Sequence, residues 1–395
     1  MTEGLHTQAR LLFRAALLVF IVTIVIGILN GLDIWKPAHN LLLTHVHAGT
    51  LGWITLAVVG VAFLMFGEGA DQKAAAGASR LAMLMTVAAL VYVGAFAAGS
   101  GIYRPIAGTL MLIAIVSALV WVAGCYRRTP STTPRLALLL AMVSLMIGAI
   151  LGVLLGLFIA NGSVPGLSQE SAAALAGAHP PAMLIGYLIL AGVAVADWVL
   201  GGAEKRSGPI VAWSLFVAGI LVNIAIIFDI EPLIQVATLL EVVAIILFLV
   251  RMWPQVKPSS WGGGGSDNFG RMSVIFLAVG IGLLVYLVQL LVSGQLDPET
   301  DTGNIGVLLA FDHSMFVGVM TNALFAAVGK LGGRSGSPRL VVWGVNLGLI
   351  AFLVGLVGEI TVLKQIGSPI MGVALLAGIY LLIVQLKPPS QAAPV

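Results

Sequence analysis

The sequence predicts an all-α integral membrane protein with twelve transmembrane helices, arranged as three four-helix units. The first observation is composition, because 59% of the 395 residues are hydrophobic and only 9% are charged. A soluble domain needs many more charged side chains to cover its surface. The second observation is that apolar segments of about 20 residues, the length that crosses a bilayer, recur along the chain. The third is a repeated motif that contains histidine.

The apolar segments are separated by short loops rich in residues that interrupt helices. Examples are RRTPSTTPR at 127–135 and GGRSGSPR at 332–339. The predicted spans are 10–31, 40–66, 77–99, 104–125, 134–160, 172–200, 208–229, 232–251, 272–293, 305–329, 339–363 and 366–386.

The distribution of lysine and arginine predicts the orientation of the spans. With the N-terminus in the cytoplasm, sixteen of the nineteen basic residues fall on the cytoplasmic side, as the positive-inside rule requires. Only Lys36, Arg104 and Lys364 then lie on the outer side. We therefore expect a multi-pass protein of the bacterial inner membrane, with both termini cytoplasmic and the lipid bilayer around it. Because the basic residues are spread among loops, we expect no nucleic-acid partner.

Two loops divide this single transmembrane domain into three internal repeats. The loops at 127–135 and 254–271 separate parts at roughly 1–129, 130–262 and 263–395, each with four predicted spans. The second, sixth and tenth spans align without gaps, and they read HVHAGTLGW, HPPAMLIGY and FDHSMFVGV. A glycine stands in the same column of all three. The sequence therefore predicts three units related by a pseudo-threefold repeat.

Histidines occupy two columns of this alignment. The first column holds His45, His179 and Phe311, and the second holds His47, Pro181 and His313. These are four of the six histidines in the chain, and all four fall in the predicted outer third of spans that run in the same direction. A lone membrane histidine is often a hydrogen-bonded structural residue. Four in register indicate a function instead, and neutral imidazole is a common ligand of iron, copper and zinc.

Helical periodicity limits how the histidines pair. Residues i and i+2 of an α-helix point about 200° apart, so His45 and His47 face different neighbouring units. A cyclic arrangement of the units pairs His45 with His313 and His47 with His179, and it leaves the third position without histidine. Because the rotation of the helices is not given by the sequence, a pair of His47 with His313 stays open.

The short motifs resemble those of the catalytic subunit of the haem–copper oxidase and nitric oxide reductase superfamily. AHPPAM on the sixth span resembles the family's His-Pro at the active-site metal, and FDHSMFVG on the tenth resembles the part of its His-x-His motif that contains the second histidine. The resemblance implies a low-spin haem b held by His313 and by either His45 or His47. The histidine-rich NnrS proteins of bacterial nitric oxide metabolism, which also bind haem, are similar in size and character.

Three departures from that family imply that a conventional oxygen-reducing centre is absent. Phe311 stands where the family has its high-spin haem ligand, the seventh span at 208–229 has no histidine, and Met183 replaces a tyrosine. The resemblance thus implies a redox protein with one or two haems b that transfers electrons, or binds or reduces nitric oxide. Its electron donor would be a separate protein or a quinol, and whether the chain is itself an oxidoreductase stays open.

Two other functions fit the sequence. One is a twelve-span secondary transporter, although transporter repeats are usually two halves. The other is a non-haem site for copper, iron or zinc, formed by His45, His47, His179 and Glu359. Glu359 is predicted to lie within the eleventh span, where it would orient a ligand histidine if haem is bound.

The remaining charged residues have simple expected roles. Haem propionates are anionic, so Lys36, Arg104 and Lys364 are expected to bind them, and Arg104 is favoured because its planar fork holds a carboxylate bidentately. The alternative is that these three are ordinary basic residues of outer loops. Glu241, deep in the eighth span, is expected to be a structural residue or part of a proton path, and Asp197 is expected to be solvated.

Overall fold

The computed structural model describes residues 2–99, 101–261, 265–296, 304–331 and 339–386, and all regular structure in them is helical. It confirms the predicted all-α class and the number of spans, because twelve of its helices are long and apolar enough to cross a membrane. They are α1 Thr2–Gly31, α2 His39–Gly69, α3 Gln72–Ala98, α4 Tyr103–Tyr126, α5 Thr133–Asn161, α6 Gln169–Leu200, α7 Ser207–Ile227, α8 Glu231–Val256, α9 Asp267–Val292, α10 Gly306–Leu331, α11 Arg339–Val357 and α12 Thr361–Gln385. Two basic residues assigned to the cytoplasmic side, Arg334 and Lys387, lie outside the described residues.

The largest difference from the predicted spans is at the start of the chain, where α1 begins at Thr2 rather than near residue 10. The helix has 30 residues, which at about 1.5 Å per residue exceeds the roughly 30 Å of a hydrocarbon core. Hydropathy identifies only the part of a helix that is apolar enough to lie in the hydrocarbon core of the bilayer. It therefore misses the first two turns of α1, which are more polar.

A second difference is the turn between α11 and α12. The predicted eleventh span extends to residue 363, but α11 ends at Val357, and Glu359 adopts a left-handed conformation with φ of 54°. The Ile360 N–H donates to the Gly355 carbonyl at 2.8 Å and closes the turn. The prediction that Glu359 lies within a span is therefore wrong.

Three helices, α2, α6 and α10, form the centre of the bundle. Between 78% and 94% of their apolar stretches is buried within the protein, against 28% to 50% for the other nine helices. The Trp53 indole N–H on α2 donates to the Thr321 hydroxyl on α10 at 3.1 Å. The hydroxyls of Thr55 on α2 and Tyr187 on α6 are 3.2 Å apart. The histidine-bearing spans are thus the inner layer, and the other helices separate them from lipid.

Each central helix contains a π-helical stretch directly after the second histidine column. The hydroxyls of Thr55 and Thr321 each donate to the carbonyl five residues earlier, at 3.0 and 2.8 Å, so they satisfy oxygens that the wider turn leaves free. Such stretches are rare and frequently occur at functional sites. The three stretches are Ala48–Thr55, Ala182–Leu188 and Ser314–Thr321.

The end of α6 far from the histidines carries a buried ion pair. Asp197 on α6 accepts hydrogen bonds from the guanidinium of Arg251 on α8, and each side chain is 1% exposed. The Arg251 Nε also donates to the Ala203 carbonyl at 3.0 Å. The prediction that Asp197 is solvated is wrong, because two opposite charges at equal depth on packed helices shield each other from water.

Candidate functional site

The first cavity lies between α2 and α10, at the end of the bundle where both helices begin. It has a volume of about 410 Å³, and His45 and His313 both line it, together with residues of α1, α11 and α12. The centroids of the two imidazole rings are 6.5 Å apart, and the ring planes are inclined by 31°. The structure therefore brings together one of the two predicted histidine pairs.

The second cavity lies between α2 and α6 at the same end. It has a volume of about 310 Å³, and His47 and His179 line it. The His47 ring stacks on Phe96 at a centroid distance of 3.9 Å and meets the edge of Tyr92 at 5.5 Å. His47 therefore lines the same cavity as His179, while His313 lines the other cavity with His45.

All four histidines share one hydrogen-bonding arrangement. A backbone carbonyl can only accept a hydrogen bond, so each Nδ1 carries the proton and each Nε2 keeps its lone pair. This is the tautomer that binds a metal through Nε2, with the other nitrogen anchored to the protein. The Nδ1 atoms of His45, His47, His179 and His313 lie 2.9, 2.7, 3.0 and 2.7 Å from the carbonyl oxygens of Thr23, Leu43, Gly148 and Leu309.

The two columns of the repeat differ in where that carbonyl lies. The second-column histidines donate a hydrogen bond to the carbonyl four residues earlier in their own helix. His45 and His179 donate instead to a carbonyl of the preceding helix, which is α1 for His45 and α5 for His179. Four residues after each of those acceptors is a glycine. A Cβ on Gly27 would lie 3.1 Å from Cε1 of His45, and a Cβ on Gly152 would lie 2.8 Å from Cε1 of His179. The first-column rings thus lie against bare helix backbone.

At the third position of the repeat, buried apolar side chains stand in place of the histidine and the glycine. The glycines that the three repeats share on α2, α6 and α10 pack against α1, α5 and α9, respectively. Eight residues after the residue that each glycine contacts, these three helices carry Gly27, Gly152 and Leu284. Phe311 replaces the first-column histidine there, and both Phe311 and Leu284 are buried. Where histidine is absent, the glycine that would make room for it is absent too.

Two of the three predicted basic residues line the cavities. Lys364 lines the first cavity and donates to Asp33 at 2.9 Å, and this hydrogen bond lowers the pKa of the Asp33 carboxyl below its ordinary value. Arg104 lines the second cavity, with its guanidinium carbon 4.7 Å from the centroid of the Phe96 ring. Lys36 is exposed and lines neither cavity.

Comparison with protein-family models found no match for this chain, and comparison with curated protein sequences found none either. The geometry of its own side chains is therefore the basis for assigning a function.

The four-ligand non-haem site is not assembled. His45 lines the first cavity, His47 and His179 line the second, and Glu359 is exposed in the α11–α12 turn. Among the described residues, no group of three or more His, Cys, Asp or Glu side chains could hold a metal ion. Glu359 also does not orient a ligand histidine, because backbone carbonyls bind every Nδ1 atom.

A thin wall separates the two cavities. Val46, Asp312 and Phe316 line both of them. The Oδ1 atom of Asp312 is buried without a hydrogen-bond partner among the described residues, as are both carboxylate oxygens of Glu241, which lines neither cavity. The two cavities are therefore adjacent, and they share part of their lining.

Sequence reasoning missed the glycines, the aromatic residues beside His47 and the wall residue Phe316. The two glycines do share a spacing: Gly27 and Gly152 each lie four residues after the residue whose carbonyl accepts a hydrogen bond from a histidine. That spacing has meaning only when the register of α1 and α5 against the central helices is known.

Proposed function

We propose that this chain is a haem b-binding redox protein of the membrane, with His45 and His313 as the axial ligands in the first cavity. The observation that carries the proposal is the separation of their ring centroids, 6.5 Å. Two imidazoles that bind one metal ion from opposite sides, each with a metal–nitrogen distance of about 2 Å, have centroids roughly 6 Å apart. Because both rings keep Nε2 free, both are ready to act as ligands.

The surroundings of the pair also fit a haem. The cavity of about 410 Å³ lies within the roughly 300–1,000 Å³ of ordinary cofactor sites. Gly27 keeps the backbone of α1 close to the His45 ring, and Phe352 supports the His313 ring at a centroid distance of 4.9 Å. Lys364 would hold a propionate at the rim, where Asp33 is its present partner.

Bound haem supplies one-electron chemistry, or gas binding where one axial position is open. Histidines on both sides close both axial positions, which favours electron transfer over binding or reduction of nitric oxide at this cavity. The donor would be a separate redox protein or a quinol. We place the histidine end of the bundle on the outer face of a bacterial inner membrane, with both termini in the cytoplasm, because of the distribution of basic residues.

Within this proposal the chain is a divergent relative of the haem–copper oxidase superfamily or of the NnrS proteins. The pairing of α2 with α10 supports the first, since those helices hold the low-spin haem there. Phe311 in the first column and the absence of histidine from α7 support the loss of the oxygen-reducing centre. No observation in the described residues favours a secondary transporter.

The test is the absorption spectrum of protein purified from haem-sufficient cells. We expect a Soret band, split α and β bands after reduction, and no shift when carbon monoxide or nitric oxide is added. His313→Ala should lose the first-cavity haem. The matched control, His39→Ala, changes the exposed first residue of α2 and should lose none. A protein without a Soret band, or a spectrum and haem content unchanged by His313→Ala, would overturn the proposal.

A further inference from the structure

The second cavity repeats the construction of the first, displaced by one four-helix unit. Each cavity receives a second-column histidine from one unit and a first-column histidine from the next. Each also has a glycine under the first-column ring, on the helix that precedes the one carrying that histidine. In the first cavity these residues are His313, His45 and Gly27, and in the second they are His47, His179 and Gly152.

The hydrogen bonds match pair by pair. His47 and His313 both bond the carbonyl four residues back, each at 2.7 Å, and His45 and His179 both bond the preceding helix, at 2.9 and 3.0 Å. The agreement follows the internal repeat of the chain. It leaves Nε2 of each ring without a proton in the second cavity, as in the first.

The aromatic supports also correspond. A phenylalanine on the third helix of the unit contacts the second-column histidine in both cavities: Phe352 on α11 contacts His313, and Phe96 on α3 contacts His47. The second cavity adds Tyr92, whose ring lies 4.8 Å from Phe96. The second-column ring is therefore held in place from one side in each cavity.

Within the described part of the chain, the cation at the second cavity has no anionic partner. Arg104 is the second residue of α4, and Lys364 has a corresponding place near the start of α12. Lys364 is paired with Asp33, whereas Arg104 forms no ion pair among the described residues and its Nε is buried without a hydrogen bond. A guanidinium without an ion-pair partner is free to bind an anion, and its planar donor set suits a carboxylate.

We propose that the second cavity is a second tetrapyrrole site, in which His47 and His179 are the ligands of an iron porphyrin and Arg104 binds one of its propionates. The inference rests on the haem assignment of the first cavity, because it transfers that assignment by the pseudo-symmetry of the fold. It makes the chain a two-haem protein whose cofactors are separated only by the wall of Val46, Asp312 and Phe316.

The experiment counts haems per chain by the pyridine haemochrome method. We expect two in the wild-type protein, one in His179→Ala, one in His47→Ala and two in His39→Ala. One haem in the wild-type protein, unchanged by His179→Ala and lost in His313→Ala, would overturn the second site and leave the first intact. A wild-type protein without haem would overturn both. Two haems with His313→Ala unchanged would overturn the first assignment.

Gly152→Ala provides a test that keeps every ligand. The added Cβ would lie 2.8 Å from Cε1 of His179 and force the ring to move, whereas the matched control, Gly94→Ala on α3, meets no atom within 4 Å. We expect Gly152→Ala to lose the second haem selectively, with at least tenfold weaker retention, and Gly94→Ala to behave as the wild type. Equal haem retention in the two variants, with the same gel-filtration profile, would overturn the proposal.

A second readout asks whether the two cofactors are neighbours. Two haems across a single layer of side chains should give a bisignate Soret circular dichroism band. We expect that band in the wild-type protein and a single-signed band in both His179→Ala and His313→Ala. A band that keeps its two signs in His179→Ala would contradict the second site.

Discussion

The three equivalent positions of the repeat differ in a way that explains the cavities. Two positions combine a first-column histidine with a glycine on the preceding helix, and the third combines Phe311 with Leu284. The histidine and the glycine that makes room for its ring are therefore present together or absent together, although they lie on different helices. This correlation supports the proposal that the two cavities bind a cofactor, and it gives the third position a packing role.

The two cavities also differ from each other. In the first, the imidazoles are 6.5 Å apart and the nearby Lys364 already has a carboxylate partner. In the second, His47 is stacked on Phe96 and Arg104 has no ion-pair partner among the described residues. The first cavity is thus distinguished by the short separation of its two imidazoles, and the second by a cation without an ion-pair partner among the described residues.

The largest expected effect is at the third position. Phe311→Ala should lower the free energy of unfolding by about 3–5 kcal/mol, because it removes a buried aromatic side chain and leaves a void. The haem content of the folded fraction should not change. Reversible unfolding in mixed micelles, with haem quantified on the same sample, measures both. Loss of haem without loss of stability would mean that the third position also binds a cofactor.

Arg104→Gln should have the next largest effect. Removing a charge-assisted hydrogen bond costs about 1.5–3 kcal/mol, so haem in the second cavity should dissociate roughly ten- to a hundredfold faster. Transfer of haem to excess apomyoglobin gives the rate. Lys364→Gln is the matched comparison at the first cavity, where the competing Asp33 should make the effect smaller. If the two substitutions accelerated haem dissociation equally, the proposed difference between the cavities would be contradicted.

Gly27→Ala should act on the first cavity only, and less strongly. Its Cβ would approach His45 to 3.1 Å, a contact that a small movement of the ring relieves. Overpacking costs about 1–3 kcal/mol, and the gain in helix propensity, about 1 kcal/mol, offsets part of it. We expect a few-fold weaker haem retention and little change in melting temperature. If Gly77→Ala, which meets no atom within 4 Å, weakened retention equally, the effect would be unspecific.

The smallest effect concerns the ion pair of Asp33 with Lys364. Because the folded-state pKa of Asp33 is lowered by the hydrogen bond from Lys364, the pair stabilises the protein above the ordinary aspartate pKa. That stabilisation is lost as the pH falls from about 4 through the lowered value. The pair is exposed, so its contribution is at most about 1 kcal/mol. Melting temperatures of wild type and Asp33→Asn should converge at low pH, and a constant difference would contradict this account.

The sequence predicted those features that depend on periodicity along the chain. The twelve spans follow from hydropathy, and the placement of His45 and His47 in different cavities follows from the angle between residues i and i+2. The structure brings together the pairs that this angle favours.

Features that depend on contacts between helices could not be predicted. The buried pair of Asp197 and Arg251 requires two helices at known depth, and Gly27 and Gly152 acquire a role only through the register of α1 and α5. The position of Glu359 depends on a left-handed turn that hydropathy does not record.

The central claim is the pairing of histidines across units, and double substitutions test it most directly. His45→Ala combined with His313→Ala removes both ligands of one cavity, so we predict that one haem per chain is retained. His45→Ala combined with His47→Ala removes one ligand from each cavity, so we predict that no haem is retained. No haem in the first double variant, which a pair of His47 with His313 would give, or one haem in the second, would contradict the pairing.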